Sequence, residues 1–167
     1  MIKKRQVFYS FHYNPDNWRV STIRNIGVIE GNRPVTDNDW QRITMGGDDA
    51  IKQWIEDQLD YRSCTLVLVG RNTANRRWIN YEIVRSWDKG MGVAGIYIHN
   101  LKDQHGLTTI KGANPFDYIT HGNSRKLLSS IVPCYNPTAI DSKQCYNWIA
   151  ENISAIIEEA IKIRETN

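Results

Sequence analysis

The sequence predicts an α/β sandwich around a mainly parallel sheet. Two unbroken apolar runs of strand length, Cys64–Val69 (CTLVLV) and residues 93–98 (VAGIYI), fit strands buried on both faces, as in a parallel sheet. Segments with helical periodicity precede, separate and follow them, at 48–59, 76–89 and 142–164. Alternation of the two periods along one chain is the signature of helices packed on both faces of such a sheet.

Taken in order, residues 6–12 (QVFYSFH) read as a buried first strand and 16–26 as a helix, with Asn14 or Asp16 available as its cap. The stretch up to Gly47 is polar and poorly patterned, with a short strand expected near Val28 and Ile29. Residues 48–59 (DDAIKQWIEDQL) form an amphipathic helix with Ile51, Trp54, Ile55 and Leu59 inward and acidic residues in its first turn. The helix at 76–89 carries Ile79, Ile83 and Trp87 at spacings of four as its core stripe. Residues 100–123 form an irregular insertion, and 127–132 (LLSSIV) is expected as a last strand. In the closing helix Cys145, Ile149, Ile153, Ile156, Ile157, Ala160 and Ile161 share one stripe. No linker or repeat interrupts the chain, so the expectation is one domain over 1–167.

Composition narrows the function classes. Hydrophobic residues make up 41% and charged residues 23%, the balance of a globular domain. A net charge of +3 with no basic stripe argues against nucleic acid as a partner. No apolar run could span a bilayer, so no membrane partner and a cytoplasmic location are expected. The odd count of 3 cysteines without a CxxC pair argues against a disulfide framework and zinc, and the 4 histidines lack ligand spacing, so no metal site is expected.

Ligands of parallel sheets gather at the carboxyl ends of the strands. Three segments reach that edge: Ser10 to Tyr13, Arg76 to Glu82, and His99 with Asn100. Trp78 and Glu82, four apart on one helix, share a face beside the core stripe. A carboxylate next to an indole at a sheet rim fits a ligand site; it also fits a solvated helix residue. The cluster Arg71, Arg76, Arg77 reads either as a solvated loop or as a contact for phosphates. No GxGxxG or GxxxxGK[ST] fingerprint is present, and the two carboxylates after Gly46-Gly47 would repel an anion. Ser10 and His12 show no third orienting group, so a nucleophilic triad is not supported.

The segments QVFYSFHYNPD, DDAIKQWIEDQL, TLVLVGRNTANRRWINYEIVRSWDKG, GIYIHNLKDQHG and KGANPFDY together resemble the TIR-like proteins of the Thoeris antiphage system, the ThsB type. The resemblance runs from about Lys4 to Tyr118 and is most specific over 65–90. It implies a flavodoxin-like TIR-type three-layer sandwich and an enzyme that takes NAD as substrate, without a further cofactor. The implied product is a cyclic ADP-ribose-type signal that activates a separate effector protein after infection. A phage-derived activator and a homo-oligomer are further implied partners. The family's W-x-x-x-E pattern falls on Trp78-Ile79-Asn80-Tyr81-Glu82 and carries the catalytic role to Glu82. Ser10, Phe11, His12 and Tyr13 match the loop that borders the pocket; Asp39, Trp40 and Asn100 match less closely as substrate-binding residues, beside Trp78.

One carboxylate suits this reaction. The nicotinamide of NAD is already cationic and leaves without a general acid, whereas ordinary glycosidases need a second carboxyl to protonate theirs. Positive charge develops on the ribose, and a preorganised carboxylate stabilises that charge more than the ground state. Two alternatives stand beside the enzyme: a non-catalytic TIR-like scaffold, against which the Trp78/Glu82 pair speaks, and a nucleotide-binding or phospho-signalling module. The loop His12-Tyr13-Asn14-Pro15-Asp16 does not suit a flavin phosphate, and the strand ending Val69-Gly70 lacks a phospho-accepting Asp.

Overall fold

A computed structural model describes residues 5–32 and 37–167, with the backbone alone at 37–39. Four strands, β1 (Val7–Ser10), β2 (Cys64–Val69), β3 (Gly92–Tyr97) and β4 (Cys134–Tyr135), form one sheet in that order. Every pairing is parallel. The helices are α1 (Tyr13–Arg24), α2 (Asp37–Met45), α3 (Gly47–Leu59), α4 (Arg77–Asp88) and α5 (Ser142–Glu165).

The strands carry apolar side chains on both faces, and each face has its own helical layer. Cys64, Leu66 and Leu68 of β2 join Val20 and Ile23 of α1 and the Cys145–Ala160 stripe of α5 in one cluster. Val67 and Val69 point the other way, onto Ile79, Ile83 and Trp87 of α4. A third cluster sets Phe8 of β1 against Ile51, Ile55 and Leu59 of α3. The three-layer sandwich expected from the alternating periods is the fold observed.

The edge beyond β1 completes the topology. Glu30 makes an isolated parallel bridge with Gln6, on the side of the first strand away from β2. Counting that segment, the spatial order is second, first, third, fourth, fifth, the flavodoxin-like order, with its switch point between β1 and β2. The segment turns away from the ladder at once. A Cβ on Gly31 would lie 2.3 Å from the Tyr9 ring, so only glycine passes there. Asn32 then replaces backbone with side chain: its Oδ1 accepts from the Tyr9 amide at 2.9 Å.

Several local expectations are corrected. Residues 127–132 are not a strand: Leu128–Ser130 is a 3-10 turn, and Leu128 and Val132 bury together in the second cluster. The last strand starts after Pro133, whose carbonyl accepts from Gly95 at 3.0 Å. The first helix starts earlier than expected, with His12 at the cap and no side-chain capping bond. Pro15 in its first turn costs nothing, because that N–H would lack an intrahelical partner anyway. Asp16 is not a cap; it is buried and ion-paired with buried Arg19 at 3.0 Å. Helix α2 arises in the stretch that shows no pattern in the sequence. Trp54 is half-buried rather than core, lying at the edge of the Ile51/Ile55/Leu59 stripe and facing a cleft.

Ile55→Ala is expected to cost about 2–5 kcal/mol in urea unfolding, the range for emptying a buried aliphatic site. Trp54→Ala is expected to cost distinctly less than Ile55→Ala in the same measurement. The reverse ranking would misplace the buried face of α3.

Candidate active site

A cleft of about 870 Å³ opens at the carboxyl end of β1, beside the switch point. Its walls come from the β1–α1 connection, α2, α3 and the start of α4. Phe11, His12, Trp40, Trp54 and Trp78 give it an aromatic lining, and Glu82 lies within it. Trp40 and Trp54 meet edge to face at 5.9 Å between ring centroids.

Glu82 is held from three directions. Ile79 and Ile83 beside it are buried and fix the rotation of α4 against the sheet. Buried Ser86 donates to the Glu82 carbonyl at 2.6 Å, and its hydroxyl also meets Thr65 of β2 at 2.6 Å, pinning the helix to the neighbouring strand. The Ser10 hydroxyl, at the end of β1, donates to the Glu82 carboxyl. The Glu82 carboxyl is thus tied to β1 through Ser10, while its helix is pinned to β2 through Ser86 and Thr65, at the point where the chain order reverses.

Glu82 is 8% exposed, and among the described residues no cation acts on its carboxyl. Burial pushes its pKa up to about 8, and the Ser10 hydrogen bond, which favours the charged form, opposes this only in part. At neutral pH the carboxyl of the free protein is thus mostly protonated, and a cation brought alongside would favour its ionisation.

The outer side of α4 is polar and separate. Glu56 of α3 accepts from Arg85 at 2.5 Å and from Lys89 at 3.2 Å, which holds its carboxyl below the usual range and ties the two helices together. Arg77 sits over the Trp78 ring at 4.5 Å and pairs with Asp48 at 2.6 Å, turning the indole toward the cleft. Of the arginine cluster, Arg76 and Arg77 line the cleft and Arg71 is exposed outside it.

The residues singled out in the sequence are mostly brought together. Glu82, Phe11, His12, Tyr13, Trp40 and Trp78 line the cleft, and Ser10 lies behind Glu82. Burial and the nearby Arg76 hold His12 below the usual histidine range, so its ring is neutral at pH 7. Asn100 is not in the cleft: its amide donates to the Ala139 carbonyl at 3.3 Å. The side chain of Asp39 lies outside the described residues. The sequence reading missed Arg24, Asn32, Gln41 and Thr44 in the lining. Gln41 and Thr44 belong to the unforeseen α2, where Trp40, Ile43 and Thr44, three and four apart, were the only signal.

Fold and cleft define a flavodoxin-like α/β domain with a buried acid at its topological switch point. Residues 8–103 match the family model described as Thoeris protein ThsB, TIR-like domain. Over 120 residues the chain is 39% identical to the "Putative cyclic ADP-D-ribose synthase ThsB1" of Bacillus cereus (strain MSX-D12), an alignment that covers 69% of this chain. It spans 62% of the length of that relative. The chain belongs to the Thoeris ThsB TIR-like family. No helix among the described residues is long and apolar enough to cross a membrane.

The raised pKa of Glu82 has a measurable consequence for stability. The unfolded chain loses this proton near pH 4.5 and the folded one near pH 8, so folding is favoured most below the lower value. Stability falls as pH rises between them, by at most about 1.4 kcal/mol per pH unit from this group. Glu82→Gln is expected to abolish that component. Relative to wild type it should gain stability from pH 5 to pH 8 in chemical denaturation; parallel pH profiles would mean the carboxyl is not held neutral.

Proposed function

We propose that the domain cleaves the nicotinamide–ribose bond of NAD and closes the remaining ADP-ribose into a cyclic nucleotide signal. The observation that carries this reading is Glu82, buried at the floor of an aromatic cleft and fixed there by Ser10. The name of the Bacillus cereus relative supports the same chemistry.

In this reading the cationic nicotinamide displaces the Glu82 proton to solvent, because the ion pair is stronger in a dry cleft than in water. The Ser10 hydroxyl keeps one carboxylate oxygen in place. When the glycosidic bond breaks, its electron pair leaves with nicotinamide, which becomes neutral. The cation passes to the ribose, and the Glu82 carboxylate stabilises it there. A nucleophilic atom of the same molecule then attacks the anomeric carbon, closes the ring and gives up its proton to solvent. Water in its place yields the open product. The aromatic walls favour closure by excluding water and folding the substrate back on itself. The signal would act on a separate effector protein, and a phage-derived activator or self-assembly would raise the turnover of the isolated domain.

Glu82→Gln keeps the size and the Ser10 contact but removes the charge. With activated protein and NAD, chromatography of the products is expected to show turnover lowered about a hundredfold or more, as for loss of one preorganised electrostatic group. Ser10→Ala, which removes only the positioning bond, is expected to cost less than Glu82→Gln. Equal signal production by wild type and Glu82→Gln would replace the enzyme by a scaffold.

A further inference from the structure

Arg24, the last residue of α1, lines the cleft on the side of β1 away from α4. Its guanidinium lies over two rings, 5.6 Å from the centroid of Tyr9 and 5.5 Å from that of Phe11. Its Nε is buried and has no hydrogen-bond partner among the described residues. The groups that favour its charge are the hydroxyls of Tyr9 and Tyr13, and burial opposes it more strongly. Among the described residues, buried Arg19 and half-buried Arg62 are satisfied. Arg19 pairs with Asp16 and three carbonyls, and Arg62 donates to the carbonyls of Gln58 and Val7.

A partly buried guanidinium with an unserved donor carries a desolvation cost that the two ring contacts offset only in part. The cleft therefore has two unlike ends. Among the described residues, one end holds an acid that no cation touches, Glu82; the other holds a cation that no carboxylate touches, Arg24. A ligand with a positive and a negative end, joined through ribose, satisfies both.

We propose that Arg24 binds the diphosphate of the dinucleotide and thereby sets its direction in the cleft, with the pyridinium toward Glu82. The inference rests on the NAD reading above and adds the residue that orients the substrate. The two aromatic rings hold the guanidinium plane, so its fork meets two phosphate oxygens together without first being ordered. Asn32 and Gly31 belong to the same arrangement, since they hold Tyr9 in position under the guanidinium.

The test is calorimetric titration of the full chain with two fragments. ADP-ribose carries the diphosphate and no pyridinium; nicotinamide riboside carries the pyridinium and no phosphate. For Arg24→Met, which keeps the apolar stem, ADP-ribose affinity is expected to fall about tenfold or more. Nicotinamide riboside affinity should stay within about twofold. Arg24→Lys, which keeps the charge and loses the fork, should lie between and serves as the decisive variant if Arg24→Met does not fold. Unchanged ADP-ribose affinity in Arg24→Lys and Arg24→Met, or equal losses for both fragments, would overturn the phosphate role and leave the NAD reading standing. Binding of ADP-ribose through Arg24 with no binding of nicotinamide riboside or NAD would do the opposite.

Discussion

Burial of one carboxyl under one hydroxyl organises this domain. Glu82 sits on a helix that the Ile79/Ile83/Trp87 stripe and the Thr65–Ser86 bond lock against the sheet. Ser10 ends a strand whose position is set by β2 on one side and by Glu30 and Asn32 on the other. The contact between them ties the two halves of the switch point. An isolated carboxylate there would be costly, and burial favours the protonated form of the group.

The cleft follows from how the edge beyond β1 is built. Past Glu30, Gly31 lies too close to the Tyr9 ring to carry a side chain, and Asn32 meets the Tyr9 amide with its side chain instead of its backbone. Helices α2 and α3 then stand off from the sheet on the third, smaller cluster, with Trp40 and Trp54 in contact at its rim. The wall is aromatic because half-buried rings can pack on one side and face a ligand on the other. The irregular segment after β3 plays a different part. Buried Arg19 donates to the carbonyls of Leu101 and Leu107, and Gly112 packs on the carbonyl of Gly70, so the segment braces the loop that leads into α4.

Long periodic or unbroken apolar segments were legible in the sequence. Strand Cys64–Val69 and the stripes of α4 and α5 emerge where the pattern places them, because burial on a sheet demands that pattern. What escaped was set by contacts distant in the chain. Helix α2 is short and has few apolar residues, so the spacing of Trp40, Ile43 and Thr44 was a weak signal, and Ile43 packs against the third cluster. Residues 127–132 read as a strand because apolar residues flank two serines, yet Leu128 and Val132, four apart, bury together as a turn does. Glu82 was legible as a site only through its spacing from Trp78 and the family pattern; its raised pKa comes from burial, and its hydroxyl partner Ser10 is far away in the chain. Arg24 left no signal, since a basic residue in the last turn of a helix is ordinary.

The central claim is that the cleft holds a neutral acid that ionises when a cation binds. Calorimetry of NAD binding at pH 7, repeated in buffers of different ionisation enthalpy, counts the protons exchanged. The account predicts release of nearly one proton per NAD bound to wild type, and none for Glu82→Gln. Binding enthalpies that do not vary with the buffer, or equal proton release by the two proteins, would contradict it.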